Sequence, residues 1–289
     1  MTGVATHAGS AGQALEAAVD ALRAAGVEDP RLDAELLLAE ATGWERAALA
    51  AEPEAGVPAA AARTFGEMVR RRLRREPVAY IRGRRGFRNL EIAVDRRVLI
   101  PRPETELLVE IALERRPASV LDVGTGSGAI ALAIADELPG CAVTATDTSA
   151  EALAVARANA ERLGLGDRVR FQAGSVPAEG GFDLVLANLP YVAESEWRSL
   201  QPEVTRWEPR EALLAGRDGL DAYRAFFGER GRVLSRIAGG TSATHLAVAV
   251  EVGEGQATAV AGMMGAAGFG AIGTRRDLAG IERVVTGER

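Results

Sequence analysis

From residue 103 onward, short apolar runs alternate with stretches of helical period, and no other property of the 289-residue chain limits its fold so strongly. Strands are predicted at Ser119–Val123, Ala142–Thr146, Val169–Phe171, Asp183–Ala187 and Leu246–Val252, with helices at 105–115, 128–137, 149–163 and 254–266. Strands of this kind are hydrophobic on both sides, and helices between them supply the cover, so the pattern predicts an α/β parallel sheet covered on both faces.

The preceding residues follow a different pattern. Leu15, Ala18 and Leu22, then Leu32, Leu36 and Leu37, then Phe65, Met68, Val69 and Leu73 recur at helical spacing, punctuated by Pro30, Gly43, Pro53 and Pro58. A small all-helical domain is predicted to about residue 80. From Pro77 to Ile100 the alternation of Val78, Tyr80 and Ile81, then of Leu90, Ile92 and Val94, predicts extended structure or a hairpin. The expected organisation is a helical domain at 1–80, a β-hairpin connector at 81–98 and an α/β domain at 99–289. Charge divides along the same lines, at -3 for 1–80, +4 for 81–100 and -7 for the remainder.

Composition removes several chemistries. The 34 basic residues are all arginine, so Schiff-base catalysis and a phosphate-loop lysine are excluded. Cys141 alone makes no disulfide within the chain and no cysteine zinc cluster. His7 and His245 alone offer little for a metal site, and no metal is expected. No run approaches the roughly 20 apolar residues of a membrane helix, and Met1 to Gln13 lack the basic and apolar regions of a secretory signal, so a cytoplasmic protein without membrane contact is expected. A net charge of -6 argues against general attraction to nucleic acid.

Three features of the α/β region carry chemistry. The first is Leu121 to Ala129, a strand that runs into Gly124, Thr125, Gly126, Ser127 and Gly128 before a helix. Glycine permits positive φ and close approach of a ligand, and the helix start offers unpaired N–H groups; the alternative is a tight strand-to-helix turn without a ligand. The second is Asp147, about twenty residues on at the end of the next strand, where an acid can accept both hydroxyls of a ribose or cap the helix beginning near Ser149. The third, Asn188-Leu189-Pro190-Tyr191, ends the fourth strand. An amide or exocyclic amine nitrogen attacks a sulfonium methyl poorly until its N–H groups are gripped and its lone pair is aimed. The Asn188 side-chain oxygen and the Leu189 carbonyl are two acceptors suited to that grip, Pro190 restricts the residue before it, and Tyr191 can wall a planar group. The alternative is a strand-ending turn with a core tyrosine.

Through these features and several further segments the chain resembles the bacterial protein-(glutamine-N5) methyltransferases that modify peptide chain release factors. The resemblance covers nearly the whole chain. It runs through the helical start, Arg75 to Gly83, Val98 to Glu106 with its Pro101-Arg102-Pro103-Glu104-Thr105-Glu106, the glycine turn, Asn188 to Tyr191, Glu208-Pro209, Gly219-Leu220, Glu251 to Gln256 and Asp277 to Arg283. It implies a Rossmann-like class I methyltransferase sheet and transfer of methyl from S-adenosylmethionine to the side-chain amide N5 of the glutamine in a release factor's Gly-Gly-Gln motif. By the family's pattern Gly124, Thr125, Gly126, Ser127 and Gly128 would hold the methionine part and Asp147 the ribose, with Val176 and Asn188 also on the cofactor side. Asn188, Pro190 and Tyr191 would be catalytic, and Asn188 to Tyr191 would meet the glutamine. The helical domain would dock the release factor, with no direct contact to nucleic acid and the chain a monomer.

Two departures from the family stand out. Leu189 replaces a usual second proline, which keeps the carbonyl but loses the fixed φ, and Ala173-Gly174-Ser175-Val176 lacks an acid that commonly follows the third strand. Two further segments have paired readings. The arginines at 70–75, with Arg82, Arg84, Arg85 and Arg88, form either a solvated face or a docking surface. Pro101 to Glu104 is a rigid helix start, a border of the pocket, or both. Competing functions are an adenine-N6 methyltransferase, which shares the Asn-x-Pro-Tyr element, a nicotinamide dehydrogenase, which leaves that element unexplained, and a cofactor-binding protein without catalysis.

Overall fold

The computed structural model describes residues 7–177, 181–228 and 246–289, and the chain divides into two compact units. The first six residues and His245 lie outside the described residues. One unit comprises the chain up to Gly83 together with Gln201–Trp207; the other comprises Arg84–Leu200 and Glu208–Arg289.

In the helical unit, strand β1 (His7–Ser10) leads into α1 (Ala11–Ala24), followed by α2 (Pro30–Thr42), α3 (Arg46–Ala51), β2 (Gly56–Pro58), α4 (Ala59–Leu73) and α5 (Val78–Arg82). A capping box starts α1: the Gln13 backbone N–H donates to Ser10 Oγ and the Ser10 N–H to Gln13 Oε1, both at 3.3 Å. Pro30 opens α2 and Gly43, at φ 72°, closes it, as the sequence punctuation requires. The buried stripe of α2 is Ala34, Leu37 and Leu38, whereas Leu32 is 40% exposed. At about 100° per residue, Leu32 points some 200° away from Ala34, so of the predicted Leu32, Leu36 and Leu37 only Leu37 is fully buried, and Leu36 is half-buried. A second correction concerns Val78 to Arg82, which form a helical turn ending on Gly83 at φ 72° rather than a strand; Tyr80 and Ile81 are both buried because they lie on its inner side. The hairpin itself occurs immediately afterwards, as β3 (Arg84–Phe87) and β4 (Leu90–Ala93).

The arginine run is largely internal to the helical unit. Arg72 Nε donates to Asp33 at 2.6 Å and its Nη1 meets Glu203 at 2.6 Å, while Arg75 grips both Glu203 oxygens at 2.7 Å. Arg71 donates to both oxygens of Glu76 and to the carbonyls of Tyr80 and Ile81. Arg70 and Arg74 are exposed. The run therefore reads chiefly as the anchor of the helix Pro202–Trp207 and of the α4–α5 corner.

The second unit is built on a seven-stranded sheet, assembled from β5 (Ser119–Val123), β6 (Ala142–Asp147), β7 (Val169–Ala173), β8 (Leu184–Ala187), β9 (Ala247–Glu251), β10 (Gly270–Arg276) and β11 (Glu282–Glu288) in the order 10-11-9-8-5-6-7. The five strands β5 to β9 are parallel, and β11 and β10 extend the sheet antiparallel at one edge. The parallel reading holds for those five and is corrected for the edge hairpin. Its sequence gives no alternation to detect, since β10 is mostly exposed and β11 buries the adjacent pair Val284 and Val285. The intervening helices α6 (Glu106–Arg115), α7 (Ala129–Glu137) and α8 (Ala150–Arg162), with Ala257–Ala266, fall where the apolar period put them.

Strand order decides where a ligand can go. The chain runs β5, β6, β7 outward in one direction, then returns to place β8 on the other side of β5. The crevice outside the carboxyl ends at that reversal is where open α/β sheets bind ligands. Val123 pairs with Ala187, so Gly124 and Asn188 leave the sheet side by side.

Glu203 tests the internal reading of the arginines. Its side chain is 10% exposed and that of Arg72 is 7% exposed, so Glu203→Ala leaves desolvated guanidinium charge behind. A loss of about 3 kcal/mol of unfolding free energy is expected in urea, with little change in the m value.

Candidate active site

The glycine turn after β5 is shaped from beneath. Asp122 is fully buried, and Thr125 Oγ1 donates to its Oδ2 at 2.6 Å, which ties the turn to the strand it leaves. Gly124 and Thr125 both donate N–H to the Thr146 carbonyl at 2.9 Å. Gly128 opens α7 at φ 85°, and a Cβ there would stand 3.1 Å from Leu132 and 3.2 Å from Ala156, so this glycine serves helix packing. Gly126 is different: at φ 55° a built Cβ meets nothing within 4 Å.

Asp147 closes the next strand. Its Oδ2 accepts from Gly126 N–H at 2.9 Å and its Oδ1 from Ser149 N–H at 2.8 Å, so it holds the glycine turn as well as the following corner. The cap of α8 is Ser149, which accepts from Ala152 N–H. The helix-capping role considered for Asp147 thus belongs to its neighbour, and each carboxylate oxygen keeps a second lone pair.

A cavity opens between these groups, lined by Gly124, Gly126, Asp147, Asn188, Leu189 and Pro190 from the predicted set, and by Ser175. Thr125 and Ser127 are buried and Gly128 packs against α8, so these three support the cavity wall without lining it. Val176 packs on the sheet core. The apolar side is supplied by Val98, Leu99 and Pro209, which the sequence offered only as parts of the family's segments, and by Ala212, which it did not single out. A smaller cleft adjoins it, lined by Leu99, Arg102, Asn188, Tyr191, Val192, Ala212 and Leu213. Asn188 lines both spaces.

The surroundings of Asn188 explain several motifs together. Its Nδ2 donates to Thr105 Oγ1 at 3.1 Å, and Thr105 is buried. Gln256 Nε2 donates to the Tyr191 carbonyl at 2.9 Å while its Oε1 accepts from Gly253 N–H at 3.0 Å. A Cβ on Gly219 would come within 2.3 Å of the Tyr191 oxygen, and one on Gly253 within 3.1 Å of the Tyr191 ring. Glu208 accepts from Ile100 N–H at 3.0 Å and from Arg102, which fixes the segment before Pro103. Asn159, fully buried, donates to the carbonyls of Ser127 and Ala93 at 2.9 Å and accepts from Ala93 N–H, fastening the glycine turn to the hairpin. Thr105, Glu208 and Gln256 entered the sequence reading only as members of the family's segments and Asn159 not at all, because each acts on residues distant in sequence.

An open α/β sheet with a glycine turn, an acid on the neighbouring strand end and an Asn-x-Pro-Tyr element beside them is the architecture of class I S-adenosylmethionine-dependent methyltransferases. Residues 120–207 match the family model of a methyltransferase domain. A solved methyltransferase from Pyrococcus furiosus, 17% identical, shares the fold with a TM-score of 0.50 over 70% of this chain and 89% of its own. Residues 13–83 match the PrmC N-terminal domain model. The release factor glutamine methyltransferase of Caulobacter vibrioides is 41% identical over 282 residues, 95% of each chain. That of Bordetella pertussis is 44% identical over 269 residues, 89% of this chain and 94% of its own. The chain belongs to the release factor glutamine methyltransferase family.

The residues present suit S-adenosylmethionine. The open face at Gly126 admits a backbone-hugging group, the Asp147 carboxylate is an acceptor for hydroxyls, and the apolar wall of Val98, Leu99 and Ala212 suits a flat ring. When bound, this cofactor supplies a methyl carbon made electrophilic by a sulfonium.

Burial pushes two carboxyls, Asp122 and Glu251, up to about 7, Asp122 against its bond from Thr125. Between the usual carboxyl range and pH 7 the native state then holds protons that the unfolded chain has released, so both groups make stability fall as pH rises through that window. The Asp122→Asn variant should flatten the fall by about 1 kcal/mol per pH unit, read from urea unfolding at pH 5, 6 and 7.

Proposed function

We propose that this chain methylates the side-chain amide nitrogen N5 of the glutamine in the Gly-Gly-Gln motif of a peptide chain release factor, with Asn188 as the residue that grips the amide. The observation that carries this reading is the position of Asn188 on the wall shared by the two spaces, with its NH2 turned to Thr105 and its oxygen therefore turned the other way.

A carboxamide nitrogen is a poor nucleophile because its lone pair is delocalised into the carbonyl. Asn188 Oδ1 and the Leu189 carbonyl would accept its two N–H groups, holding the nitrogen so that its electrons face the larger cavity. Pro190 holds the preceding carbonyl in an extended conformation, and the Tyr191 ring, lying against Gly253 while Gln256 holds the Tyr191 backbone carbonyl, walls the amide plane. No strong base is required, since the nitrogen becomes acidic only on alkylation. Tyr191, whose phenol burial pushes up to about 12, supplies none at neutral pH.

Gly124, Gly126 and Asp147 are read as the cofactor side, with Thr125, Ser127 and Gly128 beneath them. Val176 is the weakest member of that set, because its side chain lies on the core. The helical unit, matched by the PrmC N-terminal domain model, is read as the part that meets the release factor. Among the described residues no helix is long and apolar enough to cross a membrane, which accords with a substrate found in the cytoplasm.

Labelled S-adenosylmethionine, offered with release factor, with its Gly-Gly-Gln glutamine changed to alanine, and with DNA, decides the substrate: label is expected only on the unaltered factor, and label on DNA refutes the reading. Asn188→Ala should lower kcat about 100-fold or more while the cofactor Kd moves less than about twofold. Asp147→Ala should raise the cofactor Kd about tenfold or more, measured by calorimetry, because a charged acceptor and a brace of the glycine turn are lost together.

A further inference from the structure

A side-chain amide has three hydrogen-bonding groups, two N–H donors and one carbonyl oxygen. The Asn188 oxygen and the Leu189 carbonyl are read as accepting from the donors of the substrate glutamine. Its oxygen still needs a donor, because a carbonyl taken out of water without one weakens binding.

The smaller cleft offers few candidates. Leu99, Val192, Ala212 and Leu213 bring apolar side chains to it, and the Asn188 NH2 already donates to Thr105. The backbone N–H groups of Val192, Ala212 and Leu213 donate to other carbonyls of the chain. A tyrosine that walls the amide with its ring face holds its hydroxyl in the plane of the ring, away from the amide edge where the carbonyl lone pairs lie. Arg102 is the charged side chain on this lining.

Two prolines fix the backbone of Arg102 and two acceptors fix its head. It lies between Pro101 and Pro103 at φ -95° and ψ 148°, the extended conformation that a following proline imposes. Its Nη1 donates to the Ile100 carbonyl at 3.1 Å and its Nη2 to Glu208 Oε1 at 2.5 Å. The Glu208 side chain is 2% exposed and also accepts from the Ile100 N–H at 3.0 Å, so the carboxylate is itself held. A guanidinium carries five N–H groups, and the other three of Arg102 have no partner among the described residues. The buried carboxylate also balances the charge, so a sulfonium beyond Asn188 faces an ion pair and not a lone cation.

We propose that Arg102, held by Glu208, is a substrate-binding residue that donates to the side-chain carbonyl oxygen of the glutamine. This rests on the assignment of Asn188 as the amide grip. The carboxamide is then fixed by two acceptors at its nitrogen and by a charged donor at its oxygen, and three points of attachment leave its plane one orientation toward the methyl group.

The test uses the full chain with S-adenosylhomocysteine in the cofactor site and measures Kd by calorimetry for intact release factor and for the factor with its Gly-Gly-Gln glutamine changed to alanine. Arg102→Met should raise the Kd of the unaltered factor about tenfold or more and leave that of the alanine factor within about twofold, because alanine has no side-chain carbonyl to lose. The Kd of S-adenosylhomocysteine itself should stay within about twofold of the parent, since Val98 and Leu99 keep their places in the cavity wall. Arg102→Met combined with Glu208→Gln leaves no unpaired buried carboxylate, and the amide oxygen at 208 still accepts from Ile100. This double variant should show the same contrast, and it serves if Arg102→Met alone fails to fold. An unchanged Kd for the unaltered factor, equal increases for both factors, or a matching loss of S-adenosylhomocysteine affinity, the mark of a displaced wall, overturns the proposal. Failure of the underlying reading looks different, because the parent would then bind both factors equally and Asn188→Ala would keep its activity.

Discussion

The parallel pairing of β5 with β8 is the constraint on which the site depends. Because the chain returns across β5 after β7, the Val123–Ala187 register brings two unrelated segments to one sheet edge, and the space a Gly124 side chain would need lies 3.6 Å from the Asn188 carbonyl. A glycine turn alone makes a nucleotide crevice, and an Asn-x-Pro-Tyr alone makes a strand-ending turn. Their adjacency is what makes two common local structures line one cavity.

Around that edge, distant segments act as braces. Glu208 holds Ile100 and Arg102, Gln256 holds Tyr191, Asn159 joins the glycine turn to the hairpin, and Thr105 backs Asn188. Each supplies a hydrogen bond to a buried or partly buried group and thereby fixes the direction of a neighbour distant in sequence. Leu189 fits this picture. The missing proline removes one restriction on φ, yet its side chain packs against the sheet core and lines the cavity, so packing contributes to the order of the turn.

The legibility of the sequence follows the range of the forces. The five parallel strands, the helices between them and the turn glycines were readable because each rests on a local period or a local φ requirement, as did the start and stop of α2 at Pro30 and Gly43. Asp147 and Asn188 were singled out as strand-end residues, and both line one cavity because Asp147 ends β6 and Asn188 follows β8. The edge hairpin was not readable, since β10 is exposed and β11 buries consecutive valines, and the five-residue turn at Val78 imitates strand alternation. The arginine run was misleading for a related reason. Its charges look solvent-directed in a linear reading, but their partners, Asp33 and Glu203, are 39 and 128 residues away. Thr105 was visible only as a member of a family resemblance, because its bond is to Asn188, 83 residues away.

The helix Pro202–Trp207 has a consequence for how the protein is made. It lies between segments of the sheet unit but is clamped by Arg72 and Arg75 of the helical unit, so neither unit is one continuous stretch of polypeptide. A nascent chain that has emerged through Gly83 holds two arginines whose carboxylate has not yet been synthesised. The helical unit must wait for more than a hundred further residues before its charge network closes, and a gene split at that boundary would leave the helical product without residues 201–207 and the sheet product carrying them without Arg72 and Arg75.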